Sequence, residues 1–310
     1  HPDASLILNL QNLLIKLLNA KGGRLSQGPN AAGASLAGLL PHLSAAGKIL
    51  KKSGLNADQM LQDADKKVFI LFNTDPVHDS RYGKEIAKAL HKATVIAITP
   101  YASESIKQYA DVILPMGVFA ESSGTYVNAS GVWQSFRAIL KPEGLVRPGW
   151  KILRVLANFL KLDGFDYESS DQVKSELLNL IDKKHSDKNK SNKPVEIKLA
   201  KIKVKEQKQC KAVYDNAVYA QDSLVLRSES LQNTNLTKNH NKVKISKIKA
   251  DKLGVKTGDM VNLSMDKCDI KLPVYVDSSL PDLNIVFPVG FSKTSSWVCD
   301  NKSISIKKVK

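Results

Sequence analysis

The most constraining feature of this chain is an alternation, between residues 68 and 114, of short apolar runs with helix-like stretches. Val68–Phe72 and Thr94–Ile98 are apolar runs bounded by polar residues, Tyr82–Lys92 and Ser103–Ala110 read as helices, and Asp111–Leu114 reads as a third strand. Strands that are apolar at nearly every position, joined by helices rather than tight turns, predict a parallel β-α-β-α-β sheet covered on both faces, with right-handed crossovers. Ligands of such sheets sit beyond the carboxyl ends of the strands. Asn73–Asp75, Thr99–Ser103 and Met116–Gln134 fall there. The polar, glycine-containing stretch Glu121–Gln134 exceeds the usual connection of about 4–6 residues. Its length predicts a binding loop or a segment packed on a neighbouring domain.

Helical periodicity flanks this region. Leu6, Leu10, Leu13, Leu14 and Leu17 share one face of a helix over residues 5–19, ended by Gly22-Gly23. Over Gly149–Leu162, Ile152, Leu153, Leu156, Phe159 and Leu160 fall on one side, with Lys151, Arg154, Asn158 and Lys161 on the other. Ser169 with Gln172 has the spacing of a capping box for a further helix. From Lys183 to Gln209 the composition turns to Lys, Asn and Ser, which predicts a linker. Beyond it lie short β-type runs at Leu224–Leu226, Val243–Ile248, Met260–Met265, Ile270–Val276, Ile285–Phe287 and Ser303–Val309. The turn signals Gly258-Asp259 and Pro281-Asp282 separate them, so a small, partly closed β-barrel is expected. The expected organisation is an α/β domain over 1–182, a Lys-rich linker over 183–209 and a β-barrel over 210–310.

Charge is unevenly placed. The formal net charge is +16, and residues 183–211 hold eleven Lys against Asp187, Glu196 and Glu206, while 238–252 hold six Lys against Asp251. Such stretches attract nucleic acid or anionic lipid. They contain no Arg, however, and the nearby aromatic is Tyr214 alone, which favours a solvated linker over a nucleic-acid module. The three cysteines, Cys210, Cys268 and Cys299, are scattered, and a cluster or structural zinc needs four ligands. The six histidines show no HxxxH or HxxE spacing. Asp75, His78, Asp79 and Ser80 have the residue types of a nucleophile–base set, but such sets assemble from distant segments, and a turn is the simpler reading. No run reaches the roughly 18–20 apolar residues of a membrane span. His1 is followed by no basic-then-apolar leader, and the chain is expected to be a segment of a longer polypeptide.

Ala110-Asp111-Val112-Ile113-Leu114-Pro115, followed by Ala120-Glu121, Gly124-Thr125, Asn128, Gly131 and Gln134, resembles the ADxxLP…AExxGTxxNxxGxxQ block of the molybdopterin oxidoreductase superfamily. Gly28–Pro41, with Asn30, Gly33, Gly38 and Pro41 in register, resembles the superfamily's GxNxxGxxxxGxxP loop. Phe72-Asn73-Thr74-Asp75-Pro76 looks like its turn after a sheet strand, and Ile248–Val261 resembles its AxxLGxxxGDxV signature. The resemblance implies an α/β fold in which a Rossmann-like parallel sheet domain is followed by a smaller double-psi-like β-barrel. Arg147-Pro148-Gly149-Trp150-Lys151 and Gly164-Phe165-Asp166-Tyr167 narrow it to bacterial NADH-quinone oxidoreductase, respiratory complex I, where they resemble the C-terminal portion of the subunit that shares this fold.

That resemblance implies electron transfer from NADH to quinone, with iron–sulfur clusters in an upstream region and no cofactor or metal in this segment. The implied partners are other subunits of the peripheral arm, at the cytoplasmic face of the inner membrane, with no nucleic acid and no membrane insertion. The alternative is the C-terminal half of a molybdenum or tungsten oxidoreductase such as formate dehydrogenase, in which the two domains close over molybdopterin. Asn30, Asn73, Asp75, Asn128 and Gln134 then mark the ancestral cofactor face, vestigial in the first reading. Val132-Trp133 stands where the superfamily often has Arg, and loss of that guanidinium accords with loss of an anionic cofactor.

Overall fold

The computed structural model describes residues 4–22, 28–63, 65–80, 83–186, 210–220, 222–265, 268–289, 291, 294 and 304–309. The Lys-rich segment 187–209 and Cys299 lie outside them. In chain order the strands are β1 (Leu43–Ser44), β2 (Lys48–Ile49), β3 (Val68–Phe72), β4 (Thr94–Thr99), β5 (Val112–Pro115), β6 (Gly124–Val127) and β7 (Trp133–Phe136). After them come β8 (Lys211–Asn216), β9 (Val243–Ile245), β10 (Met260–Met265), β11 (Cys268–Val276), β12 (Asn284–Val289) and β13 (Ser305–Lys308). Residue contacts group these elements into two units, His1–Asp58 with Phe119–Lys205 and Gln59–Val118 with Glu206–Lys310. The grouping does not follow the linear succession expected from the sequence. Within the second unit, segment 59–118 joins the C-terminal segment, and Arg227 of the latter lies 4.1 Å from the Tyr101 ring of the former.

The first part of the second unit is the expected parallel sheet, in the order β3-β4-β5. Asp111 sets the start of β5. Its backbone N–H donates to the Val95 carbonyl at 2.9 Å, and its carboxylate accepts the Val95 N–H at 2.7 Å. Because the strand order never reverses, right-handed crossovers carry both connecting helical segments to the same face. On that face Leu71, Val95 and Ala97 pack with Ile86, Leu90, Ile106 and Tyr109. The opposite face is covered unevenly, since Ile98 of β4 is fully buried there while β3 stays open. Val68, Ile70 and Phe72 alternate along β3 and remain 53%, 50% and 42% exposed.

The C-terminal part of the same unit is a six-stranded mixed sheet in the order β13-β10-β11-β9-β12-β8. Its strands alternate with a period of two. Val261, Leu263 and Met265 of β10, Leu272 and Val274 of β11, and Ile285 and Phe287 of β12 all enter one core. The sheet curls until its edges approach, where the Ile304 N–H, just before β13, donates to the Cys210 carbonyl, just before β8, at 3.3 Å. The fold expected from the resemblance, a parallel α/β sheet with a curled, barrel-like sheet, is the fold observed.

Local chemistry explains where the strands stop. Val243–Ile248 does not run on as a strand, because the Ser246 hydroxyl oxygen accepts the Lys249 N–H at 3.0 Å and caps helix Lys247–Leu253. Gly254 ends that helix in the left-handed region at φ +62°. At Gly258-Asp259 the chain turns into β10, with the Asp259 carboxylate accepting the Lys256 N–H at 3.0 Å. Leu224–Leu226 is not a strand either. The Asp222 carboxylate accepts the Leu224 and Val225 N–H groups at 2.8 and 3.0 Å and folds Val225–Arg227 into a 3-10 turn.

In the first unit, helix Ala31–Ala37 ends at Gly38, whose φ is +82°. A Cβ there would lie 2.4 Å from the Ser44 carbonyl carbon, so the position accepts only glycine on both grounds. Helix Ser170–Ser186 starts as the capping-box spacing predicts. Ser169 Oγ accepts the Gln172 N–H at 3.3 Å, and Gln172 Oε1 accepts the N–H of Glu168, one residue before the cap. Helix Gly149–Phe159 departs from its expected polarity. Arg154 is half-buried and donates from Nε to the Phe165 carbonyl at 3.2 Å, while Phe159 and Leu160 are 82% and 63% exposed.

Phe287 is fully buried in the curled-sheet core. Phe287→Ala is expected to cost about 3–5 kcal/mol, the transfer free energy of the ring plus the cavity left behind. The shift in guanidinium midpoint relative to wild type checks this, with the C-terminal aromatic signals as the probe.

Candidate functional site

The carboxyl ends of β3 and β4 carry the densest polar network in the parallel-sheet region. β3 ends at Phe72, and Asn73 follows in the left-handed region at φ +49°, held by its N–H to the Ile98 carbonyl at 2.8 Å. That turn delivers Asp75 to the start of the short helix Pro76–Asp79. Asp75 Oδ2 lies 3.1 Å from His78 Nδ1 and accepts the Ser103 hydroxyl at 2.6 Å. The Ser105 hydroxyl donates to the same oxygen, and the Tyr109 hydroxyl donates to Oδ1 at 3.0 Å. Ser103 also caps helix Glu104–Tyr109, its oxygen accepting the Ile106 N–H at 3.2 Å. One carboxylate therefore ties the turn after β3 to the helix after β4.

The electrostatics follow from these contacts. Burial raises the cost of charge on Asp75, but the hydrogen bonds from His78, Ser103 and Ser105 outweigh it and hold the carboxyl well below the usual range. The hydrogen bond to Asp75 raises His78 against the opposing effect of burial. Burial raises Asp79, although its Oδ2 accepts the Asp75 N–H at 2.7 Å and the Thr74 hydroxyl at 3.1 Å. Burial and the adjacent Asp75 charge also push the Tyr109 phenol up. Asp75, His78 and a serine come together as a nucleophile–base set would, yet Ser105 and Asp75 meet His78 on the same nitrogen. A base relay needs the nucleophile on one ring nitrogen and the carboxylate on the other. The arrangement fixes structure and has no relay geometry.

The remaining site residues expected from sequence lie in the first unit. Asn30 precedes helix Ala31–Ala37, and its Oδ1 accepts the Val127 N–H of β6 at 2.8 Å. Gly33 must lack a Cβ, which would lie 2.1 Å from that same Asn30 oxygen. Asn128 follows β6, and its Oδ1 accepts the Ser130 and Val132 N–H groups, each at 3.0 Å. Glu121–Gln134 is therefore no extended loop. It contains the β6–β7 hairpin, closed by Asn128, in which Gln134 pairs across from Tyr126 and is exposed. Asn30 and Asn128 are thus neighbours through Val127, while Asn73 and Asp75 belong to the other unit. Sequence reading missed Ser103, Ser105 and Tyr109 as partners of Asp75, because nothing local links positions about thirty residues apart.

The molybdopterin oxidoreductase family profile matches residues 5–159. Over 107 residues the chain is 33% identical to the mitochondrial 78 kDa subunit of NADH-ubiquinone oxidoreductase of Candida albicans, covering 34% of this chain and 14% of that protein. Over 133 residues it is 33% identical to the catalytic subunit of assimilatory nitrate reductase of Bacillus subtilis, covering 41% of this chain and 19% of that protein. It thus spans less than a fifth of either relative. Its fold is similar to acetylene hydratase from Pelobacter acetylenicus, with a TM-score of 0.58 at 11% identity over 91% of this chain and 51% of that one. With the parallel sheet, the curled sheet and half of its length matched, the chain belongs to the molybdopterin oxidoreductase family.

A pterin cofactor bearing phosphates needs hydrogen-bond donors and cations where it meets the sheet. The described residues at the β3 and β4 ends do not fit that demand. They present two carboxylates, Asp75 and Asp79, and the donors of Ser103, Ser105 and Tyr109 are directed at Asp75. Arg227 reaches this edge, but its guanidinium stacks on Tyr101 and donates to the Ser223 carbonyl at 2.7 Å. Among the described residues no group of three or more His, Cys, Asp or Glu is placed to hold a metal ion.

Two measurements test the network. Asp75→Asn is expected to cost about 1.5–3 kcal/mol at neutral pH, the worth of hydrogen bonds to a charged acceptor. His78, raised in the folded state, contributes fully below its unfolded value of about 6.5, and the contribution fades as pH rises through the folded value. Asp75, depressed, contributes fully above about 3.9. Wild type should therefore be more stable at pH 6 than at pH 8, and His78→Ala should shrink that difference in paired denaturant titrations.

Proposed function

We propose that this chain is the C-terminal part of the complex I subunit that takes part in electron transfer from NADH to quinone, and that this part is a noncatalytic scaffold. The observation that carries the reading is the inward use of the sheet-edge donors. Asp75 accepts from His78, Ser103, Ser105 and Tyr109 where a phosphate-bearing cofactor would require those donors to face outward. Similarity to the Candida albicans subunit supports the same reading. In it, the partners are other subunits of the peripheral arm at the cytoplasmic face of the inner membrane, and iron–sulfur clusters sit in an upstream region. The chain itself needs neither metal nor nucleic acid. No helix among the described residues is long and apolar enough to cross a membrane, which accords with a peripheral subunit.

Equal identity to nitrate reductase favours one alternative, the C-terminal half of a molybdenum or tungsten enzyme. The full-length protein in its native membranes separates the two. Under the scaffold reading, an antibody to this region labels one very large band on a native gel, the same band stains for NADH-dye reductase activity, and the purified complex carries no stoichiometric molybdenum or tungsten. A smaller species without NADH activity that holds one molybdenum or tungsten per chain would replace that reading with the enzyme.

A further inference from the structure

Helix Gly149–Phe159 leaves part of its apolar side open, and the loop before it builds a charged cavity at the helix's beginning. The cavity, about 710 Å³, is lined by Lys141, Arg147 and Lys151 against the single carboxylate of Glu143. Arg147 is held in place, donating from Nη1 to the Val146 and Gly144 carbonyls at 2.7 and 2.9 Å. Lys151 sits over the Trp150 ring at 5.4 Å. The helix begins here, so the positive end of its dipole adds to the same field. From Lys151 the spacing i, i+4, i+8 runs along the helix surface through Val155 and Phe159, both exposed. A cationic pocket at one end therefore leads into an apolar stripe.

We infer that this face docks a helical segment of another subunit that presents carboxylates at one end and a row of apolar side chains behind them. Charge complementarity selects the occupant. Lys141, Arg147 and Lys151 line the pocket where carboxylates would enter, and the stripe beyond them would bury apolar area on a partner of matching pattern. A nucleic acid has no use for the Val155–Phe159 stripe. A phospholipid surface would meet the cations but offers no row of side chains at helical spacing to match Val155 and Phe159. The inference rests on the complex I reading and gives the scaffold a docking face.

The test places a photo-crosslinking benzoylphenylalanine at position 159 of the full-length protein in its native membranes. The expected result is one adduct, mapped by peptide mass spectrometry to a different polypeptide, at a segment carrying carboxylates and apolar residues at helical spacing. Lys141→Glu with Lys151→Glu should lower adduct yield by about tenfold or more, a factor set by loss of complementary charge. Lys151→Gln, which removes one charge without reversing it, should give a smaller loss and guards against misfolding of the double variant. An adduct to the same polypeptide, to a second copy or to phospholipid, no adduct at all, or a yield indifferent to the lysine variants would each overturn the inference. The native-gel band of the same sample keeps the two ideas apart. A chain in the NADH-oxidising band with no adduct sinks the docking face alone. An adduct of the expected kind on a chain outside that band sinks the complex I assignment and leaves the docking face standing.

Discussion

The Asp75 carboxylate is the interaction on which the parallel sheet's carboxyl edge depends. It accepts from a histidine three residues away and from two serines and a tyrosine on the far side of the next strand. A half-buried carboxylate is costly unless its lone pairs are met, and here its partners come from the elements on either side of β4. The turn after β3 cannot drift from helix Glu104–Tyr109 without uncovering that charge. Both oxygens are engaged within the protein, so the carboxylate first serves to hold these elements together. A polar cluster at the place where α/β sheets usually bind ligands is, in this chain, a fastening.

Strand order has consequences of a similar kind. Three parallel strands in sequential order send both crossovers to one face, so one side of the sheet gains a helical core, while on the other Ile98 is buried but Val68, Ile70 and Phe72 of β3 stay open. Hydrophobic runs do not reveal this, because a strand alternates between faces regardless of whether both are covered. Helix Gly149–Phe159 repeats the lesson in another form. Its side-chain periodicity separates apolar from charged residues, yet Arg154 turns in to cap the Phe165 carbonyl while Phe159 faces out. Amphipathicity identifies a helix; packing decides which of its faces is buried.

Much of the architecture was legible in the sequence for local reasons. Val68–Phe72, Thr94–Thr99 and Val112–Pro115 form as their apolar runs predict, and the Ser169–Gln172 spacing marks a real helix start. What was lost were contests between a run's apolar character and a single side chain. Ser246 captures the Lys249 N–H and stops β9, Asp222 captures two N–H groups and folds 225–227 into a turn, and Asn128 closes a hairpin inside what looked like a loop. The site was harder still. Asp75 and His78 are neighbours in sequence, but Ser103, Ser105 and Tyr109 become their partners only when β4 is laid beside β3.

The residues that carry the family resemblance explain why it specifies fold more sharply than activity. Asp111 fixes the register of β5 against Val95, Asn30 holds Val127, Gly33 leaves room for Asn30, and Asn128 closes its own turn. In the C-terminal sheet Gly254 ends a helix and Asp259 shapes the turn into β10. Every one of these roles is backbone geometry, and any chain that keeps the geometry keeps the motif whatever it binds. A segment of 33% identity to a respiratory-chain subunit and of 33% identity to a nitrate reductase is what such motifs produce. The discriminating information lies in side chains that point away from the backbone frame: carboxylates rather than donors at the sheet edge, and a guanidinium stacked on Tyr101 rather than presented to an anion.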